Sequence, residues 1–226
     1  MASFNEAYFI TMNNEKGYSN DSLDVGGETY LGISRKFNSE WQGWLIIDEI
    51  KSQRKLKHCE VIDDGKLKKL HKDFVRQKYW NEIQGDKIPS QQFANFFFDF
   101  YYHKPAPAIK ELQGILKVKV DGGFGDVTLD SLLKSNSVEV YNELYKKRED
   151  YYNAIAPNGT VYRDGFINRL KTFPSELVQE AQYIINPNVH AGNIDSAFFV
   201  FGFITLIVAT WYKKIVVRHK NILQIK

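Results

Sequence analysis

Apolar positions at the start of the chain recur at helical spacing. Phe4, Ala7, Tyr8 and Thr11 stand at i, i+3, i+4 and i+7, which predicts one face of a helix. Gly17 is expected to take the left-handed turn that stops it, leaving Glu15 at the helix end. Gly26-Gly27 then marks a tight turn, and Thr29, Tyr30 and Ile33 read as a short extended segment. The stretch from Trp41 to Gln53 follows as an amphipathic helix with Trp44, Ile47 and Ile50 on one face. Leu67, Leu70 and Phe74 form the apolar side of another, which leads into Tyr79-Trp80. Ser90 suits an N-cap, and beyond it Phe93, Phe96, Phe97, Phe100 and Tyr101 share one face while Ala94 and Phe98 fill others. A helix apolar nearly all round is buried, so this is the expected central core helix. Asp99 inside it needs a partner, for which a backbone amide of the hairpin is the candidate.

Lys104-Pro105-Ala106-Pro107 interrupts the pattern and gives an internal boundary. After it come a helix from Ala108 to Leu116, a turn at Val120-Asp121-Gly122-Gly123 and a helix from Thr128. Val138, Tyr141, Tyr145, Arg148 and Tyr152 mark a long helix, and a final one lies around Tyr162 to Leu170, where Asn168 and Arg169 read as polar structural anchors. From Ala197 to Tyr212 there is no charge at all. Sixteen helical residues cover only about 24 Å, but extension to Val217 with Lys213 and Lys214 snorkelling gives about 31 Å, enough for a bilayer core. Residues 197–217 are therefore expected to span a membrane, the competing possibility being a buried helix. The chain divides accordingly into residues 1–105, 106–190 and 191–226.

Composition narrows the classes. At 226 residues the chain can bury a substantial core, and a net charge of +3 without an Arg-rich tract does not argue for nucleic acid. The single Cys59 excludes an internal disulfide framework or a multi-cysteine zinc site, and His103 alone makes no metal set. The Lys-rich segment from 51 to 72 reads first as a solvated helix face, and alternatively as attraction to an anionic polymer or lipid. No cleavable signal peptide is expected, since the opening residues include Asn5 and Glu6 and lack an apolar run.

The candidate chemistry lies between Glu15 and Ile33. Glycosidic cleavage needs a carboxylic acid to protonate the leaving oxygen and a second group to stabilise the cation or hold water. Glu15, beside Tyr18 and an apolar helix end, is the candidate acid, with desolvation expected to keep it protonated. Asp24 on a polar turn is the candidate stabiliser, and Thr29 could position water. Asp24 could equally cap its own turn. Tyr18, Tyr30, Tyr79 and Trp80 are the aromatic candidates for sugar contact, although Tyr79 and Trp80 could also be core.

These residues also carry a resemblance. Glu15-x-Gly17-Tyr18, Asp24-x-Gly26-Gly27-x-Thr29 and Gly32-Ile33 resemble the Glu-Gly-Gly-Tyr N-acetylmuramidases, glycoside hydrolase family 108. The likeness continues through Tyr79-Trp80-Asn81, Phe98-Asp99-Phe100, Leu112-Gln113 and Asp121-Gly122-x-x-Gly125-x-x-Thr128-Leu129 to Gly165-Phe166-Ile167-Asn168-Arg169. Departures are Lys16, where the motif usually has Gly, and His103, where an Asn is expected. The resemblance implies a mainly α, lysozyme-like fold with a small β-hairpin at the active site, plus a C-terminal transmembrane helix from the hydropathy. It implies a catalytic domain over 1–105 and a helical peptidoglycan-binding-like unit over 106–190. The implied activity is metal- and cofactor-free hydrolysis of the β-1,4 bond between N-acetylmuramic acid and N-acetylglucosamine, with Glu15 as acid. Non-catalytic glycan binding and lytic transglycosylation are the alternatives. Basic residues after the apolar segment place the C-terminus in the cytoplasm and the catalytic part toward the wall, or else the protein is stored in the cytoplasm until release by a secretion, lysis or injection apparatus.

Overall fold

Helix α4, Gln91–His103, is the element around which the others pack. The computed structural model describes residues 1–20, 26–160 and 162–177. Ten consecutive residues of α4, Phe93 to Tyr102, are buried, as its apolar circumference requires. Ser90 caps it, its hydroxyl accepting the Phe93 amide at 3.2 Å. Alongside runs α1, Phe4–Asn13, which buries Phe4, Ala7 and Thr11. Phe4 meets Phe98 edge-on at 6.1 Å and Trp80 at 5.7 Å, so the N-terminal helix is fixed by ring packing worth about 0.5–1.5 kcal/mol per pair beyond area burial.

A second apolar cluster holds the sheet. Strands β1 (Tyr18–Asn20), β2 (Glu28–Tyr30) and β3 (Ile33–Ser34) form an antiparallel sheet in the order β1-β2-β3. Tyr18 pairs with Tyr30 and Tyr30 with Ile33, and all three are buried with Trp41, Trp44, Ile47, Ile62 and Leu67. These last come from α2 (Gly43–Gln53), α3 (Gly65–Val75) and their connections. Period-two alternation then puts Ser19, Thr29 and Ser34, one per strand and in register, on the opposite face. A five-residue π-helical turn, Arg76–Trp80, continues α3.

The β2–β3 turn is held by Tyr102 and His71. Leu31 has φ 44° and Gly32 φ 86°. The Leu31 carbonyl accepts Tyr102 Oη at 2.6 Å and lies 3.1 Å from His71 Nε2. A Cβ on Gly32 would sit 2.7 Å from Tyr102 Oη, so backbone angle and ring contact both require glycine. Gly17 is different from the expectation. Its φ is not positive, and Asn14 in right-handed geometry caps α1 instead. Glycine is needed there because β1 lies against the Cys59-Glu60 backbone, where the Tyr18 amide donates to Glu60 O at 2.7 Å and an added Cβ would collide with that carbonyl.

Beyond α4, Pro105 is the first residue of α5 (Pro105–Ile115), so the prolines open a helix rather than a linker. Helices α6 (Asp126–Lys134), α7 (Ser137–Ile155) and α8 (Arg163–Leu170) follow. Ala108, Ile109, Leu112, Leu132, Tyr141, Leu144 and Tyr152 share one apolar cluster with α1 and α4, and all described residues fall in one unit. The Asp121-to-Thr128 turn is organised by buried Gln113. Its Nε2 donates to Asp121 Oδ1 and Gly123 O, both at 2.9 Å, and its Oε1 accepts the Gly122 amide. The architecture is mainly helical with a small three-stranded sheet, as a lysozyme-like fold requires. Among the described residues no helix is long and apolar enough to cross a membrane, and the 197–217 segment and the 190/191 boundary lie outside the described residues.

Candidate active site

Helix α1 ends at Asn13, and the Glu15 amide still donates to Met12 O at 3.2 Å, which holds Glu15 in the helix's last turn. Its side chain is 14% exposed. The sequence expectation was an apolar setting. The structure instead brings the Arg169 guanidinium of α8 to it, with Nη1 2.5 Å from Oε1. Among the described residues nothing pairs with Oε2.

Arg169 is fixed in turn by Asp99. Nε donates to Oδ2 at 2.9 Å and Nη2 to Oδ1 at 3.0 Å, the two-point geometry that suits a guanidinium to a carboxylate. Asp99 also takes Arg148 Nη2 at 2.5 Å and Asn14 Nδ2 at 3.3 Å. Burial alone would push the Asp99 carboxyl up, but the charges of Arg148 and Arg169 and their hydrogen bonds hold it below the usual carboxylate range. Burial likewise opposes the charge on Arg169, and Asp99 and Glu15 outweigh it. Arg148 is fully buried, its guanidinium 5.0–5.6 Å from the rings of Phe96, Phe100, Tyr152 and Phe173, and both its Nε and Nη2 donate to Tyr152 Oη. Two carboxylates and two guanidiniums thus balance in a largely dry cluster. Among the described residues no hairpin amide donates to Asp99, and the arginines take the place expected for one.

Of the sequence candidates, Tyr79 is the one whose hydroxyl feels the charge of Glu15. Tyr79 is half-buried, packs on Tyr102 with ring centroids 4.6 Å apart, and its hydroxyl is pushed up by burial and then by the charge of Glu15. Trp80 does not face the site. It is fully buried against Gly85, donating Nε1 to Asp86 Oδ1 at 2.8 Å, which leaves no ring face for a sugar. Tyr30 is equally buried, its hydroxyl accepting the Ile62 amide at 3.2 Å. Tyr18 is 6% exposed and donates to Glu28 Oε1 at 2.8 Å. Glu28 is further held by Arg35 and Lys51 at 2.7 and 2.6 Å, so this hairpin carboxylate is locked in place. Thr29 is half-buried on the polar sheet face, with Oγ1 donating to Gly27 O at 3.1 Å. Asp24 lies outside the described residues.

A cavity of about 850 Å³ opens between β1 and the end of α2, lined by Tyr18, Asn20, Lys51, Arg54, Lys55, Leu56 and His58. Glu15 does not line it, and Lys51 and Arg54 are already paired with Glu28 and Glu60. Among the described residues no three His, Cys, Asp or Glu side chains gather as a metal set.

No curated protein matches the chain. Among solved structures, the structure of Brucella abortus SagA is similar, at 29% identity and a TM-score of 0.56, over 75% of this chain and 90% of that one. Residues 9–104 match the model of glycosyl hydrolase 108, a segment that holds Glu15, the sheet, Tyr79 and Asp99. What the chain resembles over residues 9–104 is therefore glycosyl hydrolase 108.

Proposed function

We propose that this protein hydrolyses the β-1,4 bond between N-acetylmuramic acid and N-acetylglucosamine in peptidoglycan, with Glu15 as general acid. The observation that supports this most is the setting of Glu15. One carboxylate oxygen is gripped by Arg169, Oε2 has no partner among the described residues, and half-buried Tyr79 is near enough for its hydroxyl to feel the Glu15 charge. Oε2 is the oxygen that would carry the proton to the leaving glycosidic oxygen. Asp24 would stabilise the oxocarbenium-like transition state or orient water. Thr29, whose hydroxyl proton is engaged by Gly27 O, would accept a hydrogen bond from that water through its oxygen. Tyr79 would form part of the wall against the sugar. No cofactor is called for.

The helices beyond Pro105 are proposed to contribute peptidoglycan affinity. The Asp121-to-Thr128 turn need not touch the glycan itself, since Gln113 already engages Asp121 Oδ1, Gly123 O and the Gly122 amide. From sequence alone, residues 197–217 are proposed to anchor the protein, with the C-terminus cytoplasmic and the catalytic part facing the wall. Protease added to intact spheroplasts should digest the N-terminal part, whereas full protection would favour cytoplasmic storage. Mass spectrometry of products released from purified sacculi tests the reaction. Reducing-end N-acetylmuramic acid is expected; 1,6-anhydro products would indicate transglycosylation, and no release at all a binding protein.

A further inference from the structure

We propose that Arg169 is the positioning residue of Glu15, so that α8, well beyond residue 104, completes the active site. The inference rests on Glu15 being the acid. Arg169 makes two hydrogen bonds to Asp99 with Nε and Nη2, which fixes the plane of its guanidinium and aims Nη1 at Glu15 Oε1. Asp99 is itself immobilised by Arg148, which is fully buried among four aromatic rings. Asn14, the residue before Glu15, donates to Asp99 and to Thr172 just past α8, so the turn that carries Glu15 is tied to the same elements.

Charge gives the arrangement a catalytic consequence beyond holding α1 to α8. With Glu15 protonated, Asp99 faces two guanidiniums and the cluster carries one surplus positive charge. As the proton passes to the leaving oxygen, the negative charge that develops on Glu15 meets that surplus at 2.5 Å in a site largely closed to water. The stabilisation is preorganised, because Arg169 need not move to supply it. A purely structural tie would already be met by Asn14–Thr172 between the ends of α1 and α8 and by Asp99–Arg169 between α4 and α8.

The test is steady-state digestion of purified sacculi by the full chain carrying Arg169→Ala or Arg169→Lys, with thermal melts to count folded protein. Arg148 remains to neutralise Asp99 in both variants. Arg169→Ala is expected to lower kcat by about 10²–10³ with KM within about twofold, as for loss of one preorganised charge-stabilising donor. Added methylguanidinium should recover part of that loss. Arg169→Lys should fall between, since one ammonium cannot span both carboxylates. Wild-type kcat in folded Arg169→Ala overturns the proposal, as does a loss that follows the folded fraction and resists methylguanidinium. Should Arg169→Ala fail to fold, an unchanged kcat in Arg169→Lys overturns it. Glu15→Gln run in parallel separates the two claims. An active Glu15→Gln removes the acid assignment itself, whereas an inactive one beside a fully active Arg169→Ala removes only the role of Arg169.

Discussion

His71 makes the stability of the sheet turn depend on pH. The ring is fully buried in α3, edge-on to Tyr30 and Trp41, and bridges the Tyr8 hydroxyl (2.8 Å from Nδ1) to the Leu31 carbonyl (3.1 Å from Nε2). Only the neutral ring with its proton on Nε2 donates to Leu31 and accepts from Tyr8 together. Burial, partly opposed by the Leu31 carbonyl, lowers its pKa from the usual 6.5 to about 4. A folded pKa below the unfolded one means that the unfolded chain binds the proton first as pH falls. The contribution is therefore whole above about pH 6.5 and is lost progressively down to about pH 4. At about 1.36 kcal/mol per pH unit, roughly 2.5 kcal/mol is gone by pH 4.5. Urea unfolding at pH 7 and at pH 4.5 measures this on the wild type and on His71→Gln. The variant is expected to be weaker at pH 7, because Gln fits the site imperfectly. Between the two pH values, however, it should lose about 2.5 kcal/mol less than the wild type. His103, whose pKa burial also lowers, acts equally in both proteins and cancels in the difference. Equal losses in the two proteins would refute the argument.

Other expectations follow from the charge cluster and the aromatic positions. Asp99→Asn should cost about 3–5 kcal/mol in urea unfolding, because it leaves Arg148 buried beside a neutral amide; a loss below about 1 kcal/mol would mean that the guanidinium finds water. Tyr79→Ala should raise KM for sacculi severalfold while Trp80→Phe leaves KM unchanged and lowers stability by about 1–3 kcal/mol through the lost Asp86 bond and packing. The reverse pattern would put Trp80 in the glycan cleft.

What the sequence could tell depended on whether the cause was local. The phenylalanine positions of α4, the Ser90 cap, the face of α1 and the tight Asp121 turn follow from spacing and short-range chemistry, and all are present. Gly17 was misassigned because a left-handed turn and a close backbone approach select the same residue, and the approaching strand partner, Glu60, is far along the chain. Trp80 and Tyr30 were candidates for sugar contact because an aromatic side chain does not announce which way it faces. The arginine partners of Asp99 lie 49 and 70 residues away. A carboxylate within so apolar a helix demanded a cation, and two arginines at otherwise helical core positions were the available signal. From the sequence Arg169 reads as a structural anchor instead, since nothing local links it to Glu15.

The central claim is that Glu15 supplies the proton, and the most direct measurement is muropeptide release by Glu15→Gln from purified sacculi, per folded molecule. The amide keeps the size of the side chain and a hydrogen-bond acceptor for Arg169 but has no acidic proton to give. The account predicts loss of release by about 10²-fold or more, with a cooperative melt and sacculus binding retained. Release at the wild-type rate would contradict it.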